Sequence, residues 1–150
     1  MAQSHSAMLM HLIFSTKNRD PILMPEIRLE LFQYFSAILR GESSVAHAIG
    51  AVEDHVHLLI TLPRTMTIAS MVETLKTSSS KWLKIKTDSL RSFAWQQGYA
   101  VFSVSHSQMF SVCRYIRTQE EHHRRMNFQD EMRSVLNKHE LQFDERYLWG

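Results

Sequence analysis

The chain has 150 residues, of which 44% are hydrophobic and 21% are charged. This length suits a single domain with one hydrophobic core, and the composition excludes disordered, collagen-like and coiled-coil proteins. The single cysteine, Cys113, excludes an intramolecular disulfide and a cysteine-rich zinc site, which is typical of a reducing compartment. No apolar run approaches the roughly 20 residues that span a bilayer, and no signal peptide is evident. We therefore expect a cytoplasmic protein.

Charge is distributed unevenly along the chain, although the net charge is only +2. Residues 64–91 carry six basic and two acidic groups, whereas residues 92–150 carry seven of each. This basic segment would suit a surface that faces the phosphates of a nucleic acid. It would equally suit a solvent-exposed helix face whose lysines keep the protein soluble. Charge alone leaves both interpretations open.

Apolar periodicity predicts the secondary structure in chain order. Residues 8–16 are typical of a first strand, and Pro25 opens a helix that ends at Gly41. The runs 45–53 and 55–62 indicate two strands that meet in a hairpin.

The second half of the chain continues with a helix, a strand and two more helices. Thr67 is expected to cap a helix that carries most of the basic segment. Residues 93–105 indicate a strand or short ribbon rich in aromatic residues. Ser107 is expected to cap a helix that runs to about His123, and another helix follows at residues 131–139.

This order of elements predicts an α+β fold. It is the order of a ferredoxin-like (RRM-like) sandwich, in which an antiparallel sheet carries helices on one face. We expect a single domain over residues 1–150, with a core of about 8–125. Residues 126–150 would add a C-terminal helix and a tail.

Two histidines alternate in the predicted strand 55–62. Alternation places His55 and His57 on one face of the sheet, and two imidazoles at i and i+2 on a rigid strand can share one metal ion. The alternative is a pair of half-exposed strand histidines, because nine histidines in this chain give about 0.5 such pairs by chance. The spacing by itself is a weak indication of a metal site.

A tyrosine and a glutamine lie one turn apart in the predicted helix that follows residue 107. Tyr115 and Gln119 stand at i and i+4, so their side chains project from the same edge of the helix. The ordinary explanation is an amphipathic boundary, where the tyrosine ring packs and its hydroxyl reaches water. The pair becomes more specific only in combination with the two histidines.

Four basic residues follow this pair at positions 122–125. They would suit contacts with phosphates, or they would simply end the helix, where the helix dipole favours cations. We favour the second interpretation.

The two motifs together resemble the single-tyrosine HUH transposases, the enzymes of insertion sequences that move as single-stranded DNA. The resemblance rests on residues 53–60 (EDHVHLLI) and residues 114–119 (RYIRTQ). The opening residues 11–19 and the predicted helix 67–86 are also similar to this family. The resemblance therefore covers residues 8 to about 125, and the single domain would be an HUH transposase domain.

This resemblance implies a metal-dependent transposase that nicks and rejoins single-stranded DNA. Tyr115 would be the catalytic nucleophile that forms a 5′-phosphotyrosine intermediate, and His55, His57 and Gln119 would be the metal ligands. The cofactor would be a divalent ion, Mg²⁺ or Mn²⁺, and no nucleotide would be needed because the covalent link keeps the bond energy. The resemblance also implies a homodimer that acts on hairpin-forming element ends.

Two other functions stay open at this point. A non-catalytic nucleic-acid-binding module, such as a domesticated descendant, would keep the fold and the basic segment without cleaving DNA. A metal-dependent hydrolase would use water in place of Tyr115. In the leading interpretation, the basic segment contacts DNA through six residues: Arg64, Lys76, Lys81, Lys84, Lys86 and Arg91.

Overall fold

A four-stranded antiparallel sheet lies at the centre of the chain. The computed structural model describes residues 2–149, apart from the side chain of Tyr147. The strands are β1 (Leu9–Ser15), β2 (Ala46–Ala51), β3 (His55–Thr61) and β4 (Ala100–Val104). The helices are α1 (Pro25–Gly41), α2 (Ile68–Lys86), α3 (Met109–Arg117), α4 (Gln119–His123), α5 (Phe128–Lys138) and α6 (Glu145–Leu148). The strand order β2-β3-β1-β4 confirms the ferredoxin-like α+β sandwich.

One face of the sheet packs against α1 and α2, and we call it the α1/α2 face. Alternation along β3 points Val56, Leu58 and Ile60 to this face. They are buried there together with Leu12 and Phe14 of β1. The main hydrophobic core therefore lies between the sheet and the first two helices, as the sequence predicts.

The opposite face is covered by the C-terminal helices, and we call it the α3/α5 face. Leu59 of β3 packs with Cys113 and Ile116 of α3. Ile13 of β1 packs with Met132 of α5. Side chains that point to this face are therefore enclosed between the sheet and two helices, so polar groups there need partners inside the protein.

The helix predicted from Ser107 to His123 is wrong in two respects. Helix α3 begins after Gln108 without a side-chain cap, because Ser107 lies in a three-residue 3-10 turn. The chain then leaves helical geometry at Thr118, where φ is -105° and ψ is 27°. The hydroxyl of Thr118 donates to the carbonyl of Arg114 at 2.9 Å, beside the backbone N–H of Thr118 at 3.2 Å, and such back-bonding by threonine bends helices.

The strand predicted over residues 93–105 is shorter than expected. Regular pairing is confined to β4, and Trp95 makes only an isolated bridge to the residue that follows β1. Lys76 of α2 holds the segment between them, since its Nζ donates to the carbonyls of Gln96 and Gly98 at 2.8 and 2.6 Å. These carbonyls bond to a side chain instead of to a neighbouring strand.

The last predicted helix, over residues 131–139, begins one turn earlier than expected. The side chain of Asn127 caps α5 by accepting a hydrogen bond from the backbone N–H of Asp130 at 2.8 Å. The extra residues include Phe128, which is buried against the sheet. This turn places Glu131 on the side of α5 that faces the strands.

A close backbone approach joins α3 to β2. Gly50 of β2 lies opposite His57 in the register between β2 and β3. A Cβ atom at position 50 would overlap with the backbone carbonyl of Ile116 in α3. The lack of a side chain at Gly50 therefore lets α3 lie directly on the sheet beside His57.

Substitution of Gly50 tests this packing. We expect Gly50→Ala to lower the free energy of unfolding by about 1–3 kcal/mol, because the methyl group must push α3 away from β2. Gly41→Ala is the matched control, since a Cβ at Gly41 meets no atom within 4 Å. Urea denaturation of both variants measures the difference. Equal stability of the two variants would contradict the close approach.

Candidate active site

The two alternating histidines of β3 lie on the α3/α5 face. His55 and His57 are completely buried, whereas Val56 between them points to the opposite face. The structure therefore confirms that both imidazoles share one side of the sheet, and it excludes a half-exposed pair. A buried imidazole needs hydrogen-bond partners or a metal ion, so the contacts of each ring decide what the pair can do.

A carboxylate orients the ring of His55. Nδ1 of His55 donates to Oδ1 of Asp54 at 2.8 Å, which leaves Nε2 as the nitrogen that faces the interior. Burial by itself lowers the pKa of His55, but Asp54 and Glu131 outweigh it and raise the pKa above its usual value. Nε2 lies 3.2 Å from Oε1 of Glu131 without hydrogen-bond geometry. A metal ion at Nε2 would replace the proton that these carboxylates favour.

A third histidine, His11 of β1, is hydrogen-bonded to His57. Nδ1 of His57 and Nε2 of His11 share a hydrogen bond of 2.8 Å. Burial lowers the pKa of His57 to about 4 and that of His11 to about 3. Both rings are therefore neutral near pH 7, which is the form of imidazole that binds metals.

The tyrosine and the glutamine reach the same cluster from the C-terminal helices. The ring of Tyr115 in α3 lies 5.7 Å from the ring of His57, measured between centroids. Gln119, the first residue of α4, is buried, and its Nε2 donates to the backbone carbonyl of Tyr115 at 3.3 Å. The break at Thr118 changes the predicted helix but leaves Tyr115 beside His57 and Gln119 against Tyr115.

Glu131 of α5 completes the cluster, and it was not predicted from the sequence. Its side chain is 4% exposed. Oε1 lies 3.0 Å from Nε2 of His57 and 3.1 Å from Nε2 of His123, while Oε2 accepts a short hydrogen bond from the hydroxyl of Tyr115. Burial raises the pKa of Glu131, but hydrogen bonds from the histidines outweigh it and hold the pKa well below its usual range.

Glu131 was missed because it looks ordinary in the sequence. An acidic residue in the first turn of a helix is favourable to the helix dipole and needs no further explanation. His123 was interpreted as part of a helix end, yet its ring lies 4.4 Å from the ring of His55. The one available signal was His11, a polar residue in an apolar strand that pairs directly with β3.

Charge also affects the phenol of Tyr115. Burial raises the pKa of Tyr115, and the negative charge and hydrogen bond of Glu131 raise it further, while contact with Gln119 acts in the opposite direction. The hydroxyl is therefore a neutral hydrogen-bond donor in this arrangement. It becomes a useful nucleophile only if its proton leaves as it attacks.

The donor set fits a divalent metal ion. Within residues 2–149, the buried side-chain atoms without a hydrogen-bond partner are Nε2 of His55 and Oε1 of Gln119, and both residues were predicted as ligands. One ligand atom each from His55, His57 and Glu131 lies within 4.8 Å of the others. Imidazole nitrogens with oxygens suit Mn²⁺ and related ions, so this group could hold a metal ion.

The six predicted DNA-binding residues lie elsewhere, in α2 and its flanks on the α1/α2 side of the sheet. Lys76 is tied to backbone carbonyls, and burial lowers its pKa to about 8. Lys86 forms an ion pair with Glu30, and Arg91 forms one with Asp88. The other three are exposed and make no side-chain hydrogen bond or ion pair to any described residue: Arg64, Lys81 and Lys84.

A cleft of about 730 Å³ opens beside Tyr115, between β4, α3 and α5. Tyr115 and Glu131 are part of its lining, which also contains the basic side chains of Arg125 and Lys138. Phe102 of β4 contributes an aromatic wall. This combination of apolar and basic groups next to the tyrosine could accept a segment of nucleic acid.

Comparison with known proteins connects this site to transposition. A family model described as transposase, IS200-like, matches residues 4–119. The ISDra2 transposase TnpA of Deinococcus radiodurans is 24% identical over 116 residues, which cover 74% of this chain and 83% of that protein. The region matched by the family model includes both histidines of β3, Tyr115 and Gln119, whereas Glu131 lies beyond it.

Two solved structures share the fold. One is a crystal structure of a Deinococcus radiodurans protein assigned as a transposase, with a TM-score of 0.60 and 24% identity, covering 77% of this chain and 94% of that one. The other is a REP-associated tyrosine transposase bound to a REP hairpin, with a TM-score of 0.60 and 16% identity, covering 82% of this chain and 74% of that one.

Titration with Mn²⁺ tests the metal site. We expect the protein to bind one ion per chain at neutral pH, and His55→Ala or His57→Ala to weaken binding by at least about tenfold, because each removes a ligand nitrogen. His5→Ala is the control, since His5 is exposed near the N-terminus. Isothermal titration calorimetry gives both affinity and stoichiometry. Equal affinities in all three variants would contradict the site.

Proposed function

Because the chain belongs to the IS200-like transposases, we propose that it cleaves and rejoins single-stranded DNA through a covalent bond to Tyr115. One observation carries this proposal. The hydroxyl of Tyr115 and the two histidines of β3 meet on the same carboxylate, Glu131, within a single chain. A nucleophile beside a buried cluster that can hold a metal ion is the arrangement that phosphoryl transfer needs.

The proposed reaction starts with attack of the Tyr115 oxygen on the scissile phosphorus. A bond forms between this oxygen and phosphorus, the bond from phosphorus to the 3′ oxygen breaks, and the proton that the phenol loses is balanced by the proton that the departing 3′ oxygen takes up. The products are a 5′-phosphotyrosine and a free 3′ hydroxyl. Attack by another 3′ hydroxyl reverses these steps and joins the strands, so no nucleotide cofactor is required.

His55, His57 and Gln119 are proposed to hold the metal ion. When bound there, a divalent ion, Mg²⁺ or Mn²⁺, supplies Lewis-acid polarisation of the phosphate. The remaining work belongs to the chain itself. Asp54 and His11 orient the two imidazoles, and the helices α3 and α5 exclude water from the buried side of the cluster.

The proposed substrate is a single strand from hairpin-forming element ends. The apolar and basic cleft beside Tyr115 supports contact with an unpaired strand. Three exposed residues of the basic segment support a second contact with phosphates on the other side of the sheet: Arg64, Lys81 and Lys84.

We further infer that the reaction takes place in the cytoplasm. Within residues 2–149, no helix is both long and apolar enough to cross a membrane.

The alternative function is a non-catalytic module that only binds nucleic acid. Tyr115 meets His55 and His57 on Glu131, and Gln119 is buried against Tyr115; this arrangement argues against the alternative, because a binding module does not need these groups together. The homodimer implied by the family resemblance stays a prediction. Tyr115 reaches the histidines of its own chain, so a partner is not needed to bring these groups together.

Replacement of the nucleophile tests the proposed reaction. With Mn²⁺ and labelled single strands from the flanks of its own gene, the protein should form an adduct that survives denaturation. Tyr115→Phe removes only the attacking oxygen and should abolish the adduct. Tyr34→Phe is the control, because Tyr34 stacks on Trp82 of α2, on the α1/α2 side of the sheet. An adduct that persists in Tyr115→Phe would show that another group attacks.

Salt dependence tests the basic segment. The logarithm of DNA affinity should fall linearly with the logarithm of salt concentration, and Lys81→Ala with Lys84→Ala should flatten the slope by roughly 0.7 to 0.9 for each phosphate that the variant no longer neutralises. Lys17→Ala, an exposed lysine outside the segment, is the control. Fluorescence anisotropy at several salt concentrations gives the slope. A slope unchanged in the double variant would mean that these lysines only keep the protein soluble.

A further inference from the structure

Glu131 contacts both parts of the candidate site. Its Oε2 accepts the hydrogen bond of the Tyr115 hydroxyl. Its Oε1 lies 3.2 Å from Nε2 of His55 and 3.0 Å from Nε2 of His57. One carboxylate, about 2 Å wide, therefore links the attacking oxygen to the histidine pair. Glu131 lies outside residues 4–119, so the family match does not account for it.

We propose that Glu131 is a positioning residue that holds the hydroxyl of Tyr115 at a fixed place relative to His55 and His57. This inference rests on the proposed function, in which that hydroxyl is the nucleophile. A tyrosine side chain turns about two bonds, and rotation about the first of them moves the hydroxyl by several ångströms. Since misplacement of a reacting atom by about 1 Å can cost about 100-fold in rate, a fixed acceptor matters.

The packing of α5 makes Glu131 a rigid acceptor. Phe128 and Met132, three residues before and one residue after Glu131, are buried against the sheet. Asn127 caps the same turn. The backbone at Glu131 is thus held from both sides, and its Oε1 also accepts a hydrogen bond from Nε2 of His123, which is not among the proposed metal ligands. Its position is determined by α5, not by Tyr115.

The alternative is that Glu131 only anchors α5. The histidines would then serve as hydrogen-bond donors for a structural carboxylate, and Tyr115 would be one more donor. The two roles differ in a testable way. An anchor can be weakened by any substitution that loosens α5, whereas a positioning residue acts only through the contact with Tyr115.

The test compares Glu131→Ala with Met132→Ala in the full-length chain. Met132→Ala removes packing between α5 and the sheet but keeps the carboxylate. For each variant, the rate of adduct formation is measured against DNA concentration, at Mn²⁺ concentrations that saturate the site as judged by calorimetry. Thermal unfolding of each variant measures how far α5 is loosened.

We expect Glu131→Ala to lower the rate at saturating DNA by about 100-fold, with the half-saturating DNA concentration unchanged within about twofold. Met132→Ala should lower the melting temperature and keep the saturating rate within about threefold. If Glu131→Ala does not fold, Glu131→Gln replaces it. Glutamine has a similar volume, but its amide has one acceptor oxygen, whereas the carboxylate of Glu131 has two. The saturating rate should therefore still fall by at least about tenfold.

Three results would overturn the inference. Equal rate losses in Glu131→Ala and Met132→Ala would show that Glu131 is an anchor. Loss of Mn²⁺ binding by Glu131→Ala in calorimetry, so that the site cannot be saturated, would show that Glu131 acts through the metal. An undiminished rate in Glu131→Ala would show that Tyr115 needs no positioning. If the unaltered protein forms no adduct at all, the proposed function itself fails, which is a distinct outcome.

Discussion

The buried carboxylate of Glu131 is the interaction on which the α3/α5 face depends. A carboxylate loses most of its hydration on burial, which costs several kcal/mol unless charged or hydrogen-bonding partners replace water. Here the partners come from three separate elements, β3, α3 and α4. The satisfaction of one charge therefore requires that all three elements and α5 be in place at the same time. Removal of the charge alone would leave buried donors unpaired.

The sheet is the second constraint, because successive side chains of a strand point to opposite faces. Because β3 is central and buried on both faces, its side chains divide between an apolar core and a polar cluster. Val56 and its neighbours stabilise the α1/α2 side, and the histidines at positions 55 and 57 occupy the other. Gly50 on the adjacent strand admits the backbone of α3. The same residues that make the fold compact therefore also determine where the tyrosine is placed.

The sequence predicted those parts of the site that depend on local geometry. His55 and His57 share a face because a strand alternates, and Tyr115 lies near Gln119 because residues four apart are close even across the break at Thr118. Glu131 escaped prediction, since it lies 74 residues from His57 along the chain. Glu131 meets the histidines only when α5 folds back onto the sheet, and no local sequence pattern predicts this long-range contact.

The DNA-binding prediction shows a similar limit. Six basic residues cluster in the sequence, but a one-dimensional count does not distinguish an exposed lysine from one with internal partners. Lys76 satisfies backbone carbonyls of a loop, while Lys81 and Lys84 are exposed. The element order was easier to predict, because hydrophobic periodicity records burial directly. The start of α3 was harder, because a 3-10 turn there replaced the expected serine cap.

The separation of the basic segment from the tyrosine has a geometric consequence for any nucleic acid that contacts both. The sheet with its packed helices is a layer roughly 20 Å thick, since a helix with its side chains adds about 10 Å to each side of a sheet. A strand that contacts α2 and also enters the cleft at Tyr115 must pass around an edge of this layer. Such a path is longer than the layer is thick, so several nucleotides would separate the part of the strand on α2 from the part at Tyr115. The thickness of the protein would then set a minimum spacing between the anchored and the reacting parts of the DNA.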